Sequence, residues 1–256
     1  MNLALLVALL WCCICNSVLA QIRSETIRIF DGHSLNGWVT AGGEPAKGNW
    51  VAADGVLHRA SAGGDLYYQH PVGDFELRFE WKIAPQGNSG VKYRVQQYGN
   101  QWLGCEYQIQ DDRGEELNVH ATGSIYALYE PNRLKLQQPV GEWNVSRIVV
   151  FQNRVEHWLN GRLIVEAYPG SSDWRERVKR SKFAPHAGFG ENQVGRIFLQ
   201  DHGTEVWFRN LELTHLSSVC HEAHRAHVQP ACCGRPVLFT RGPRVFAPRI
   251  GVIRRR

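Results

Sequence analysis

Within Cys105-Glu106-Tyr107-Gln108-Ile109-Gln110, strand alternation sends Glu106, Gln108 and Gln110 to one face and Cys105, Tyr107 and Ile109 to the other. A carboxyl beside two amides at this spacing can move a proton and hold hydroxyl groups. The same row serves equally as a solvent-facing polar stripe, and the segment alone leaves both readings open. Its continuation, Asp111-Asp112-Arg113-Gly114, reads as a turn in which Asp112 is either a turn former or a ligand for substrate. A second polar row, Gln200-Asp201-His202-Gly203, follows the apolar run Ile197-Phe198-Leu199, and Gln200 and His202 share a face. Histidine suits proton transfer near neutral pH, although a strand-end histidine is often structural. Asn88-Ser89-Gly90 leads into residues 91–95, from which Lys92 and Arg94 emerge opposite Val91, Tyr93 and Val95. Arg94 then either clamps ligand hydroxyls or pairs with Glu106.

Such groups need a scaffold that keeps strand faces in register. Residues 75–83 alternate without error, Phe75, Leu77, Phe79, Trp81 and Ile83 against Glu76, Arg78, Glu80 and Lys82, which predicts one core face and one wet face. Residues 155–159 and 162–166 flank Asn160-Gly161, the dipeptide of a type I′ hairpin, because both central positions must tolerate positive φ. Further strands are expected at 27–30, 56–58, 90–95, 105–110, 125–129, 146–151, 195–200 and 206–213. Many short strands so spaced imply a sandwich or barrel. The one convincing helix spans 173–179, with Ser172 placed to cap it.

The chain of 256 residues is 43% hydrophobic and 21% charged, which excludes wholesale disorder and a fibrous repeat. Its 9 tryptophans suit a sugar-binding protein, since an indole stacks on a pyranose as well as it fills a core. Trp81 is core by periodicity, and core is the default for Trp143 and Trp158. No GxGxxG, Walker loop, GxSxG elbow or HExxH occurs, which removes the usual dinucleotide, phosphate, serine-hydrolase and zincin readings. The formal net charge of +5 is concentrated at one end: from Ser217 onward eight arginines face one acid, so the remainder sums to −2. The body is therefore not built to hold nucleic acid.

Residues 3–11 form an apolar run, followed by small and polar residues and Val18-Leu19-Ala20, the pattern of an export signal with its cleavage site. A membrane span needs about 20 apolar residues, so the run predicts an exported chain, periplasmic or secreted, and argues against membrane association. The expected organisation is a signal at 1–20, one domain at 21–216 and a basic tail at 217–256 without enough apolar periodicity to order itself. Cys105 reads as a buried free thiol, and with Cys220, Cys232 and Cys233 all in the tail no disulfide framework is expected. His221, His224, His227 and Cys232-Cys233 lack zinc-ligand spacing.

Taken together, Leu35-Asn36-Gly37-Trp38, residues 74–81, Asn88-Ser89-Gly90, residues 106–112, Gly141-Glu142-Trp143-Asn144, His157-Trp158-Leu159-Asn160-Gly161 and Leu199-Gln200-Asp201-His202-Gly203 resemble, in order and spacing, the 3-keto-disaccharide hydrolase domain family. Phe30-Asp31-Gly32 and Phe208-Arg209-Asn210-Leu211 extend the resemblance over nearly all of the body. Tyr93 stands where an aromatic pair before the arginine is more typical. The resemblance implies an all-β, concanavalin-like jelly roll of two antiparallel sheets with a concave face for carbohydrate. It also implies cleavage of a glycoside whose sugar carries a C3 ketone, introduced beforehand by a sugar 3-dehydrogenase. No cofactor is expected; a divalent metal is admitted, without ligand spacing to support it.

A retaining glycosidase needs two carboxyl groups about 5 to 5.5 Å apart, whereas residues 106–110 offer Glu106 alone unless Asp112 or Asp201 supplies a partner from a turn. A C3 ketone changes the requirement, because it acidifies the hydrogen on C2 and one base can begin the reaction. On this reading Glu106 or His202 takes that proton, Arg94 or Asn88 stabilises the enolate, and water adds after the C1 group leaves. The expected catalytic residues are Glu106 and His202, and the expected substrate-binding residues are Asn88, Arg94, Gln108, Asp112, Gln200 and Asp201. The same fold and lone carboxylate also fit a noncatalytic carbohydrate-binding module of the lectin or laminin-G type. A structural surface domain whose arginine-rich tail binds acidic polymer is a third reading.

Overall fold

The computed structural model describes residues 21–219 apart from residue 47. The expected signal and the tail's cysteines and histidines lie outside the described residues. In chain order the elements are β1 (Gln21–Arg28), β2 (Trp38–Val39), β3 (Trp50–Ala53), β4 (Val56–Arg59), β5 (Leu66–Tyr68), β6 (Phe75–Ile83), β7 (Asn88–Tyr98), β8 (Gln101–Gln110), β9 (Asn144–Phe151), β10 (Arg154–Leu159), β11 (Arg162–Ala167), α1 (Ser172–Arg180), β12 (Arg196–Leu199) and β13 (Val206–Val219). They form two antiparallel sheets. The large one runs β11-β10-β9-β6-β13-β4-β3, with β1 beside the far half of β13; the small one runs β2-β5-β12-β7-β8. This is an all-β, concanavalin-like jelly roll.

The alternation in residues 75–83 becomes β6, whose odd-numbered side chains are all buried. They meet the inner side chains of the small sheet, Phe79 edge-on to Tyr107 and Phe75 edge-on to Tyr93. Asn160 and Gly161 both take positive φ, as the I′ hairpin joining β10 to β11 requires. A polar chain threads this apolar layer: Trp81 donates to Ser146, Ser146 to the Tyr107 hydroxyl, and His157 bridges Tyr93 and the Gly123 carbonyl. Full burial pushes His157 down to about 4, so it is a neutral, fixed core group at physiological pH. Cys105 is a buried free thiol, pushed up to about 12 by burial.

The structure departs from the sequence expectations in several elements. Residues 125–129 form no strand; they make tight turns tied by isolated bridges, with Ala127 at positive φ. Ser171, one residue before the expected cap, accepts the Trp174 N–H at the start of α1. β13 runs to Val219, past the boundary drawn at 217, because β1 pairs with its whole far end. The two- to four-residue strands β2, β3 and β5 are too short to show a period. Among the described residues no helix is long and apolar enough to cross a membrane.

Candidate active site

The outer face of the small sheet is a lattice of side chains set by its registers. Tyr67, Phe198, Lys92 and Glu106 are successive partners across β5, β12, β7 and β8. One step along, Gly90 is opposite Gln108, while Asp65 and Gln200 follow the Leu66–Leu199 pair on the same face. A further step brings Asn88 opposite Gln110, with His202 just past the end of β12. Gly90 therefore leaves a dent in a field of polar groups. The Glu106 side chain lies over it: a Cβ at Gly90 would sit 2.7 Å from Glu106 Oε1 and 3.0 Å from its Cγ.

Glu106 is only 5% exposed. Burial raises its pKa, against the opposing pull of Lys92, Lys182 and His202. The nearest cation is Lys92, whose Nζ stands 3.3 Å from Glu106 Oε2 and 5.1 Å from the Phe198 ring centroid. Lys182 arrives from the segment following α1 and lies 4.2 Å over the Tyr126 ring. Its pKa is lowered by burial, Glu106 raising it and Lys92 lowering it further. Tyr126 is tied to the free edge of β8 by its N–H to the Glu106 carbonyl. Asp65 is a second carboxyl raised by burial; Lys92 and His202 are among its charged neighbours, and its Oδ1 accepts the Asp201 N–H. Two carboxyls, two lysines, a histidine and a tyrosine thus share one electrostatic neighbourhood.

The amides around the dent are ordered. Gln108, 1% exposed, donates through Nε2 to Asn88 Oδ1 at 3.0 Å and to Gln110 Oε1 at 3.2 Å. Its own Oε1 and that of Gln200 are buried without a hydrogen-bond partner. Two unsatisfied acceptors flanking one glycine are costly in a sealed core and useful where a ligand brings donors.

Of the expected site residues, the structure brings Glu106, His202, Asn88, Gln108 and Gln200 into this neighbourhood. Three others are engaged elsewhere. Arg94 sits at positive φ in a bulge between Tyr93 and Gln96, which breaks the alternation and buries its side chain. Its guanidinium donates to Asp74, the Asn192 carbonyl and the Gln152 carbonyl, so it braces the small sheet against the end of the large one. The cation opposite Glu106 is Lys92 instead. Asp112 is buried against Lys135 at 2.9 Å and accepts the Thr122 N–H, which anchors the loop after β8. Asp201 is held by Arg59 at 2.7 Å and by the N–H groups of Gly63, Gly64 and Gly203. Burial opposes its charge, yet these bonds together hold its pKa below the usual value. Neither is free to act as a second catalytic carboxyl.

Asp65 and Lys182 carry no periodic signal because each lies in a loop beside a short element, and Tyr126 carries none because the strand expected at 125–129 is a set of turns. Lys92 had a usable signal, its alternation with Val91 and Tyr93. Among the described residues no group of three or more His, Cys, Asp or Glu is arranged to hold a metal ion. Glu106 lines neither the cleft of ≈ 300 Å³ beside α1 nor that of ≈ 220 Å³ at Arg147 and Trp158, and neither is lined by a carboxyl with a raised pKa.

A jelly roll with proton-transfer groups and unpartnered amide acceptors gathered on one sheet face defines a carbohydrate-active class of this fold. The chain belongs to the 3-keto-alpha-glucoside-1,2-lyase-like domain family, which it matches over residues 25–214. It is 31% identical over 225 residues to a 3-keto-disaccharide hydrolase of Bacteroides thetaiotaomicron, covering 73% of this chain and 77% of that one. A solved Parabacteroides distasonis protein described as a candidate glycosyl hydrolase is 33% identical, with a TM-score of 0.67 over 75% of this chain and 94% of its own. A second from the same organism, at 24% identity and a TM-score of 0.59 over 74% of this chain and 98% of its own, shares the fold.

Proposed function

We propose that the protein cleaves the glycosidic bond of 3-keto-glycosides by removing the C2 proton, expelling the C1 substituent and adding water. Family membership and the named relatives support a glycoside-cleaving enzyme. The observation that carries the finer mechanism is Glu106, a buried carboxyl of raised pKa with Lys92 at 3.3 Å, set over the Gly90 dent. Burial makes its carboxylate a stronger base than a solvated one. Glu106 takes the C2 hydrogen, and the electron pair enters the ketone as an enolate on O3. Lys92 and Lys182 supply the positive charge that the enolate needs, the role first expected of Arg94. The pair then returns, the bond from C1 to the leaving oxygen breaks, and His202 gives that oxygen a proton. Water adds across C1 and C2 to restore a free 3-keto sugar. A sugar 3-dehydrogenase upstream would supply the substrate, and the export signal read at residues 1–20 would place the reaction outside the cytoplasm.

Ordinary double displacement finds less support. Glu106 and Asp65 stand three strand spacings apart, roughly 14 Å between backbones, against the 5 to 5.5 Å or so between the carboxyls of a retaining pair. The test is to incubate the protein with a 3-keto-disaccharide and, separately, with its unoxidised parent, and to measure released monosaccharide. Cleavage of the ketone alone is expected. Equal cleavage of both would mean a conventional glycosidase, and binding of both without turnover would mean a carbohydrate-binding module.

A further inference from the structure

Among the buried polar groups, one line has a direction. Asp112 is a carboxylate pinned by Lys135 and the Thr122 N–H, and as an ion it can only accept. It receives Gln110 Nε2 at 3.4 Å, which forces Gln110 Oε1 to face the other way. That oxygen in turn receives Gln108 Nε2 at 3.2 Å, a choice reinforced by Asn88 Oδ1 at 3.0 Å. Gln110 is held in place on its backbone too, its N–H donating to Thr122 Oγ1 and its carbonyl accepting from Gln137 Nε2. An amide can flip end for end at little steric cost, so what faces the dent is set by its neighbours and not by its shape. With both Nε2 protons of Gln108 committed, its Oε1 is left buried, unpartnered and beside Gly90.

We propose that Asp112, Gln110 and Gln108 form a polarity relay that presents a fixed hydrogen-bond acceptor to the substrate, so that the site selects a sugar hydroxyl which donates at that point. Asp112 and Gln110 are then positioning residues and Gln108 the residue that reads the substrate. Gln200, whose Oε1 is likewise without a partner, sets a second acceptor across Gly90. Two amide oxygens on either side of Gly90 suit a ring whose hydroxyls donate at those points. The inference rests on the proposed substrate class only in supposing that the ligand is a pyranose.

The experiment compares a 3-keto-disaccharide with analogues in which one ring hydroxyl at a time is replaced by fluorine, which cannot donate. Wild-type protein, Gln108→Leu and Gln110→Leu are assayed, with folding confirmed by thermal unfolding. In the wild type, one fluorinated position is expected to raise KM about tenfold, the size of one lost buried hydrogen bond. Gln108→Leu should raise KM for the parent and erase that discrimination. Gln110→Leu, which does not touch the substrate, should cut the discrimination below about threefold while kcat falls less than KM rises. A merely structural Gln110 would leave the ratio between analogues intact, and that result overturns the relay. So does a wild type indifferent to every replacement. If no 3-keto sugar is turned over, the proposed reaction fails separately; the same series of unoxidised sugars, read by calorimetric binding, then decides the relay by the same ratios.

Discussion

Lys82 and Lys92 are both strand lysines on outward faces, ten residues apart, and their settings differ in kind. On the large sheet, Lys82 Nζ lies 5.3 Å from the Trp143 ring centroid and 4.8 Å from that of Trp207. Arg209 covers Trp143 at 4.0 Å, and His58 stacks on Trp207 at 4.7 Å. Arg209 also meets Glu80 at 2.7 Å. Trp143 and Trp158, for which core is the expected position, are half-buried, with Arg209 and Arg147 each lying 4.0 Å over one of the rings. On the small sheet, Lys92 stands between a carboxyl raised by burial and a phenyl ring, beside two amide oxygens without partners. One face satisfies its polar groups with one another. The other leaves two buried amide oxygens beside Gly90 without a protein partner, available to a hydroxyl that donates there.

The largest effect is expected from removing the base. Glu106→Gln should lower turnover of the 3-keto-disaccharide by 10² to 10⁴, the usual range of about 3 to 5 kcal/mol for a general base. The unfolding midpoint should move by less than about 4 °C, because burial disfavours the charged form that is being lost. Since the folded-state pKa is raised, the rate of the wild type should climb with pH through a midpoint above the ordinary carboxylate value. The opposite sign holds for stability. The folded protein keeps its Glu106 proton to higher pH than the unfolded chain does, so this group's contribution declines as pH rises through that same interval. An unchanged rate in the glutamine variant would return Glu106 to the polar surface, and His202→Ala in the same assay would test the other candidate.

Next is the dent itself. Gly90 is not at positive φ, so alanine is sterically allowed by the backbone and should be neutral or favourable to the strand by some 0.5–1 kcal/mol. Its methyl would nevertheless meet Glu106 Oε1 at 2.7 Å and displace the carboxyl. Gly90→Ala is expected to lower kcat/KM by about 10- to 100-fold with no loss of thermal stability. A loss of both together would mean that the position is packing and not part of a site.

How much of this was legible beforehand depended on period and length. The nine residues of β6 alternate cleanly, and Asn160-Gly161 names its own turn, so both were readable in the chain. Glu106, Gln108 and Gln110 were placed on one face by parity alone. Parity fails at Arg94, where the bulge adds a residue that no pattern announces, although Gly104 and Gly195 each lack room for a Cβ beside Tyr93 or Arg94. Asp112 and Asp201 looked like ligands because they are acids near a polar row. Their partners, Lys135 and Arg59, are 23 and 142 residues away, and such pairings exist only in the fold.

The smallest effects should come from the large sheet, and they sharpen the contrast most. Lys82→Met removes two cation–ring contacts at a partly exposed site, worth about 0.5–1 kcal/mol each, while its thioether stem still covers part of the indoles. A loss near 1 kcal/mol is expected in urea unfolding, with kcat/KM for the 3-keto-disaccharide unchanged. Paired with Trp143→Leu in a double-mutant cycle, the coupling should come out at roughly 0.5 kcal/mol, because the cycle isolates the Lys82–Trp143 contact and leaves out the one to Trp207. Were Lys82→Met instead to change KM, the face with closed rings would be reading substrate. The division between the two sheets would then be false, since Lys82 would be meeting the ligand beside the Trp143 and Trp207 rings that it covers.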